Sequence, residues 1–151
     1  MNTPFKSKLV AAVTMLFGLA LSAPVFATAL NITMVKNKGC ECCEKWANSL
    51  KASGFTVKTL ALANVAPTKD KEGVPRALRS CHTAMIGGYV FEGHVPADLI
   101  LKVLKDQPKI VGLAAPGMPL SAPGMDIQGA SVPYQVMAFS RNGQTSVYAQ
   151  R

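Results

Sequence analysis

Asn31–Leu62 reads NITMVKNKGCECCEKWANSLKASGFTVKTLAL, and the changes of pattern within it decide the fold class. Asn31 to Lys36 has the apolar content of a short strand and runs into an Asn37-Lys38-Gly39 turn. From Glu41 to Ala52 the period becomes helical: Trp46, Leu50 and the apolar positions between them recur every three to four residues, and Gly54 supplies the stop. Phe55 to Leu62 then alternates apolar and polar side chains, as a half-buried strand does. Strand, helix, strand is a βαβ opening and predicts an α/β protein, with Cys40, Cys42 and Cys43 at the N-terminus of the helix.

Beyond this unit, Ala63 to Ser80 is mostly polar and contains Pro67, Gly73 and Pro75, which predicts a loop with one short helix around Val74 to Arg79. Thr83–Ile86 and Tyr89–Glu92 flank Gly87-Gly88, a hairpin signature. Pro96 sits well to open a helix from Ala97 to Lys105, whose apolar face is Leu99, Ile100, Val103 and Leu104. From Val111 to Pro133 glycine and proline recur too densely for helix or strand, so a long functional loop is expected there. Tyr134–Phe139 and Gln144–Tyr148 alternate around Arg141-Asn142-Gly143, a last hairpin. No internal repeat interrupts this order.

In the other direction, Lys6 and Lys8 precede an uncharged apolar run from Leu9 to Leu21, followed by small residues. That is the pattern of a secretory signal peptide, with cleavage after Ala27 or Ala29. The run is too short for a membrane span, which takes roughly 18 to 20 apolar residues. Removal of residues 1–29 would leave 122 of the 151 residues, enough for a single domain over 30–151 with its own core. It also takes two lysines from a chain of net charge +8, leaving +6. The remaining lysines are scattered among Glu41 and Glu44, with no arginine-rich run and little aromatic interleaving, so neither nucleic acid nor, after cleavage, a membrane is the expected partner.

All four cysteines, Cys40, Cys42, Cys43 and Cys81, lie in the exported part. In an oxidising compartment an even count first suggests disulfides. However, a bridge inside Cys40–Cys43 closes a loop too short to constrain the unfolded chain, so a structural cross-link is expected only from Cys81 to the cluster. A helix N-terminus favours thiolate over thiol, making these sulfurs nucleophilic and metal-binding. Cys40 and Cys43 alone form the C-x-x-C spacing of dithiol oxidoreductases, for which Cys42 is superfluous. A cluster of soft ligands does use a third thiol, for Cu(I), zinc or an iron–sulfur centre.

Cys81-His82 adds adjacent sulfur and nitrogen donors, and His94 is the only other histidine in the chain. A structural zinc site would usually pair C-x-x-C with a second C-x-x-C or with H-x-x-x-H, and that second pair is missing. Met118 and Met125 occur in two Pro-Gly-Met tripeptides within the loop. Thioethers beside thiols and imidazole point to copper. Methionines that merely cap the core are the alternative for each of the two.

At these residues the chain resembles the CopG family of exported bacterial copper-resistance proteins. The matching blocks are CECCEKW (Cys40–Trp46), VPRALRSCHTA (Val74–Ala84), GGYVFEGHVPA (Gly87–Ala97) and GLAAPGMPLSAPGMD (Gly112–Asp126). Glu41 stands where the family usually has glycine and places a carboxylate beside the thiolates. The resemblance implies a thioredoxin-like α/β fold, with a mixed sheet flanked by helices and a long Pro/Gly-rich loop. It also implies a periplasmic location and copper held by Cys40, Cys42, Cys43, Cys81 and His82, with His94, Met118 and Met125 as further ligands. Copper ions and other periplasmic copper-handling proteins are the implied partners, and Cu(I)/Cu(II) redox activity is the implied chemistry. Two alternatives stay open: a thiol–disulfide oxidoreductase using Cys40 and Cys43, and a disulfide-stapled binding module.

Overall fold

The computed structural model describes residues 30–125 and 131–151. The expected leader (1–29) and part of the Pro/Gly-rich segment (126–130) lie outside the described residues. β1 (Asn31–Asn37), α1 (Glu41–Ala52) and β2 (Thr56–Leu62) form the expected first unit, with β1 and β2 parallel. α2 (Ala66–Lys71) and a 3-10 turn (Arg76–Leu78) follow, then the hairpin of β3 (His82–Ile86) and β4 (Tyr89–Gly93). α3 (Ala97–Asp106) crosses from β4 to its parallel neighbour β5 (Gly112–Ala115). β6 (Gln135–Phe139) and β7 (Thr145–Gln150) close the chain as an antiparallel pair.

The seven strands form one mixed sheet in the order β2-β1-β3-β4-β5-β6-β7. Alternation along the strands separates two apolar layers. On one face, Ile32 and Met34 of β1, Ala84 of β3, Phe91 of β4 and Leu113 of β5 meet the buried stripes of α1 (Cys43, Trp46, Ala47, Leu50) and α3 (Leu99, Ile100, Val103). Residues three and four apart recur in both stripes, the geometry of one helical face. Each fully buried Leu or Ile contributes about 1.5–3 kcal/mol. The Trp46 indole N–H donates to the Val95 carbonyl at 2.9 Å and ties α1 to the start of α3. On the other face, Val90, Ala114 and Phe139 pack with Val74 and Leu78.

Two elements depart from the sequence reading. The segment from Val111 holds strand β5, not loop throughout, because Gly112 serves packing there: a Cβ would sit 1.8 Å from the Val90 carbonyl oxygen on β4. The helix expected at Val74–Arg79 shrinks to the 3-10 turn, and α2 forms upstream instead. There the Asn64 side chain accepts the Ala66 N–H at 2.9 Å and Pro67 occupies the first turn, where its missing N–H costs nothing. No helix among the described residues is long and apolar enough to cross a membrane.

Candidate metal centre

Cys40 is the N-cap of α1, and Cys42 and Cys43 occupy its first turn. The segment turns into the helix through Gly39, whose φ of +73° suits a residue without a Cβ. β3 lies beside β1 in antiparallel register, with Lys36 opposite His82, so the start of β3 brings Cys81 and His82 to this helix end. The Asn37 N–H donates to the Cys81 carbonyl at 3.3 Å and fixes that approach. β4 then returns antiparallel to β3 and delivers His94 directly after its last residue.

Four sulfurs gather as a result: the ligand atoms of Cys40, Cys42, Cys43 and Cys81 lie within 4.8 Å of one another, as do those of Cys81, His82 and His94. Cys81 belongs to both groups and joins them. In this structure Cys40 and Cys43 are disulfide-bonded, while Cys42 and Cys81 are free. The structural bridge expected from Cys81 to the cluster is therefore replaced by one inside it. Residues three apart at a helix start share a face, and the two Cα atoms are 5.4 Å apart, well inside disulfide range. The short loop limits what this bridge adds to stability, not whether it forms. Cys81 Sγ lies 3.2 Å from Cys43 Sγ, and Cys42 Sγ lies 3.6 Å from Cys40 Sγ.

The histidines are buried and meet edge to face, with ring centroids 5.2 Å apart, and the Trp46 ring lies 4.4 Å from that of His82. His94 Nδ1 is 2.8 Å from the Pro123 carbonyl, which can only accept, so Nδ1 carries the hydrogen and Nε2 keeps a free lone pair. Both Nε2 atoms are buried without a hydrogen-bond partner among the described residues. Buried polar atoms normally have one, and unpaired imidazole nitrogens in a group that includes the Cys81 sulfur fit metal ligands. Burial, then the neighbouring His94 and the positive charges of Lys69 and Lys36, push His82 down to about 3, against the Gly93 carbonyl. Burial lowers His94 as well. Both rings are neutral at ordinary pH, the form a metal requires. Cys81 is pushed the other way, upward, first by burial and then by the nearby charge of Cys42.

Of the eight residues expected at the site, six are brought together. Met125 is half-buried in the loop segment after β5, where a Cβ on the preceding Gly124 would sit 2.5 Å from the Trp46 backbone nitrogen. That segment also carries Pro123, the partner of His94. Met118 stays 44% exposed. Glu41 is exposed beside the cluster.

The sequence reading missed the charged groups around the centre. Lys36 is buried, donates from Nζ to the Cys40 carbonyl at 3.3 Å and pairs with Glu44 at 2.9 Å. Lys69, Thr83 and Glu92 form a buried network behind β3: Lys69 Nζ reaches Glu92 at 2.6 Å and Thr83 at 2.9 Å. Burial raises the Glu92 carboxyl while Lys69, Thr83 and the Ser80 N–H pull it down. Only the alternation in Tyr-Val-Phe-Glu-Gly, which places Glu92 on the same side as Val90, could have marked it as inward-facing.

An α/β scaffold that gathers four cysteine sulfurs and two buried imidazoles near one helix start places together soft donors that could hold a metal ion. Residues 78–125 match a family described as a protein of unknown function, DUF411. Two solved structures of copper resistance protein CopG, forms 1 and 2, are each 40% identical to this chain with a TM-score of 0.78. The matches cover 82% of this chain and 98% and 99% of those proteins, respectively. No curated protein matches. The chain belongs to the CopG family of copper resistance proteins.

Proposed function

We propose that this protein is an exported, periplasmic copper-binding protein that holds Cu(I) as cargo on the thiolates of Cys40, Cys42, Cys43 and Cys81 and on the His82 imidazole. His94, Met118 and Met125 complete or feed the site, in the service of copper resistance. The observation that carries this reading is the convergence of four sulfurs within 4.8 Å, continued through Cys81 to two imidazoles. Thiolate and thioether donors select Cu(I) over harder cations. A leader at 1–29 would deliver the chain to an oxidising compartment as one domain of residues 30–151, and other periplasmic copper-handling proteins would exchange the metal with it. The strand order β2-β1-β3-β4, with α1 joining parallel β1 and β2 and C-x-x-C at its start, supports a thioredoxin-like arrangement of the core.

The Cys40–Cys43 bridge gives the cluster two states. With the bridge reduced, all four sulfurs are available to Cu(I). Two Cu(II) ions meeting that dithiol would each gain one electron. The two thiols would lose two electrons and two protons and form the S–S bond, leaving two Cu(I). Cu(I)/Cu(II) conversion is thus part of the proposal. Anaerobic titration of reduced protein with Cu(I) tests the binding: tight uptake that weakens sharply in Cys42→Ser, Cys81→Ser protein is expected. Absent uptake, or uptake indifferent to those substitutions, would overturn it.

The same bridge favours a second reading, a thiol–disulfide oxidoreductase in which Cys40 and Cys43 exchange electrons with substrates and Cys81, at 3.2 Å from Cys43, resolves the mixed disulfide. It requires disulfide reductase activity that needs no metal and survives Cys42→Ser.

A further inference from the structure

Glu92 is fully buried, and its two carboxylate oxygens have different tasks. Oε1 accepts the Ser80 backbone N–H and the Lys69 ammonium, the latter at 2.6 Å. Oε2 accepts the Thr83 hydroxyl at 2.7 Å. Ser80 and Thr83 are the residues on either side of Cys81-His82, so one carboxylate grips both ends of the ligand dipeptide. Glu92 itself stands two residues before His94, and a Cβ on the intervening Gly93 would lie only 3.0 Å from the Ser80 Cβ. Lys69, 3% exposed, completes the group from α2 and also donates to Thr83.

Alternation along β3 and β4 puts this group on the face of the sheet opposite the ligands. His82 and Phe91 meet the layer of α1 and α3, whereas Thr83 and Glu92, paired across the two strands, point the other way. A buried ion pair is a poor device for stability alone, because desolvation offsets most of its attraction and apolar side chains of similar size do as well. We propose that the Lys69–Glu92 pair is a positioning device: from behind the sheet it locks Cys81 and His82 in place relative to His94 and so sets the geometry of the metal centre. Lys69 and Glu92 are positioning residues and touch no metal themselves. The inference rests on the copper reading for its purpose, but not for its test.

Lys69→Met, Glu92→Leu protein removes both charges together and leaves no lone buried ion, so it is expected to fold. In metal-free protein with the Cys40–Cys43 bridge intact, Cys81 and Cys42 are the two free thiols, and their alkylation rates are read separately by peptide mapping. The double variant is expected to raise the Cys81-to-Cys42 rate ratio about tenfold, the effect of losing the hydrogen bond that holds Ser80. Lys69→Met, Glu92→Gln, which restores an oxygen for the Ser80 N–H, is expected to return the ratio most of the way. An unchanged ratio in the Leu variant would overturn the proposal, and if that variant does not fold, an unchanged ratio in Thr83→Val, which frees one end of the dipeptide from the carboxylate, does so. With Cu(I), the Leu variant is expected to bind about 10- to 100-fold more weakly, as when a ligand loses its supporting hydrogen bonds. A further Cys81→Ser change should then add little, whereas full additivity would contradict positioning through Cys81. Wild-type protein that takes up no Cu(I) would sink the copper reading alone, since the alkylation ratio still decides this one.

Discussion

His82 has an imidazole with one nitrogen near a thiol and the other facing no partner, wedged between Trp46 and His94. Its burial has a consequence for pH. The unfolded ring protonates near 6.5 and the folded ring only near 3, so below about pH 6.5 the unfolded chain binds the extra proton. Stability from this group is full above 6.5 and lost as the pH falls toward 3, and His94 adds in the same direction. The urea midpoint of metal-free protein should fall between about pH 7 and pH 5, before most carboxylates titrate, and His82→Gln should flatten the slope. A wild-type midpoint independent of pH in that range would contradict a buried neutral pair. The candidate ligand residues were legible in the sequence because cysteine and histidine are scarce in this chain and crowd into three places. Glu92 and Lys69 were not legible. They are 23 positions apart, and nothing local says that a lysine in a polar stretch turns inward to meet a carboxylate in a strand.

At the scale of elements, α1 and the two hairpins followed from period and turn chemistry, since Gly87 and Gly88 both adopt the positive φ that the tight β3–β4 turn requires. β5 was hidden because the property that makes it a central strand, a small residue where two backbones nearly touch, is also the property that makes a loop. Gly112→Ala tests this. The new Cβ would overlap the Val90 carbonyl, so β4 and β5 must separate, at a cost of about 1–3 kcal/mol or more. Urea unfolding should show the loss. A variant as stable as the parent would mean that β5 does not pair with β4 as described. α2 was obscured by Pro67, which signals a break in a helix interior but is tolerated in a first turn.

Across the whole molecule, the sheet acts as a partition. Its α1/α3 side carries sulfur and imidazole where β1 and β4 end and β3 begins near one helix start, and its α2 side carries the ion pair behind them. The α/β class and the first unit were readable from periodicity. The seven-strand order was not, because β5 pairs with β4 and with β6 through contacts that no local pattern specifies. The same partition explains why residues from positions 40 to 94 form one centre while Met118 stays at the surface. X-ray absorption on protein reduced and loaded with Cu(I) without oxygen tests the central claim most directly, because metal identity and the nature of its neighbours come from one sample. Cu(I) in a shell dominated by sulfur, with a nitrogen contribution that falls in His82→Gln, is the expected result. A shell of nitrogen and oxygen only, or copper lost on simple desalting, would contradict it.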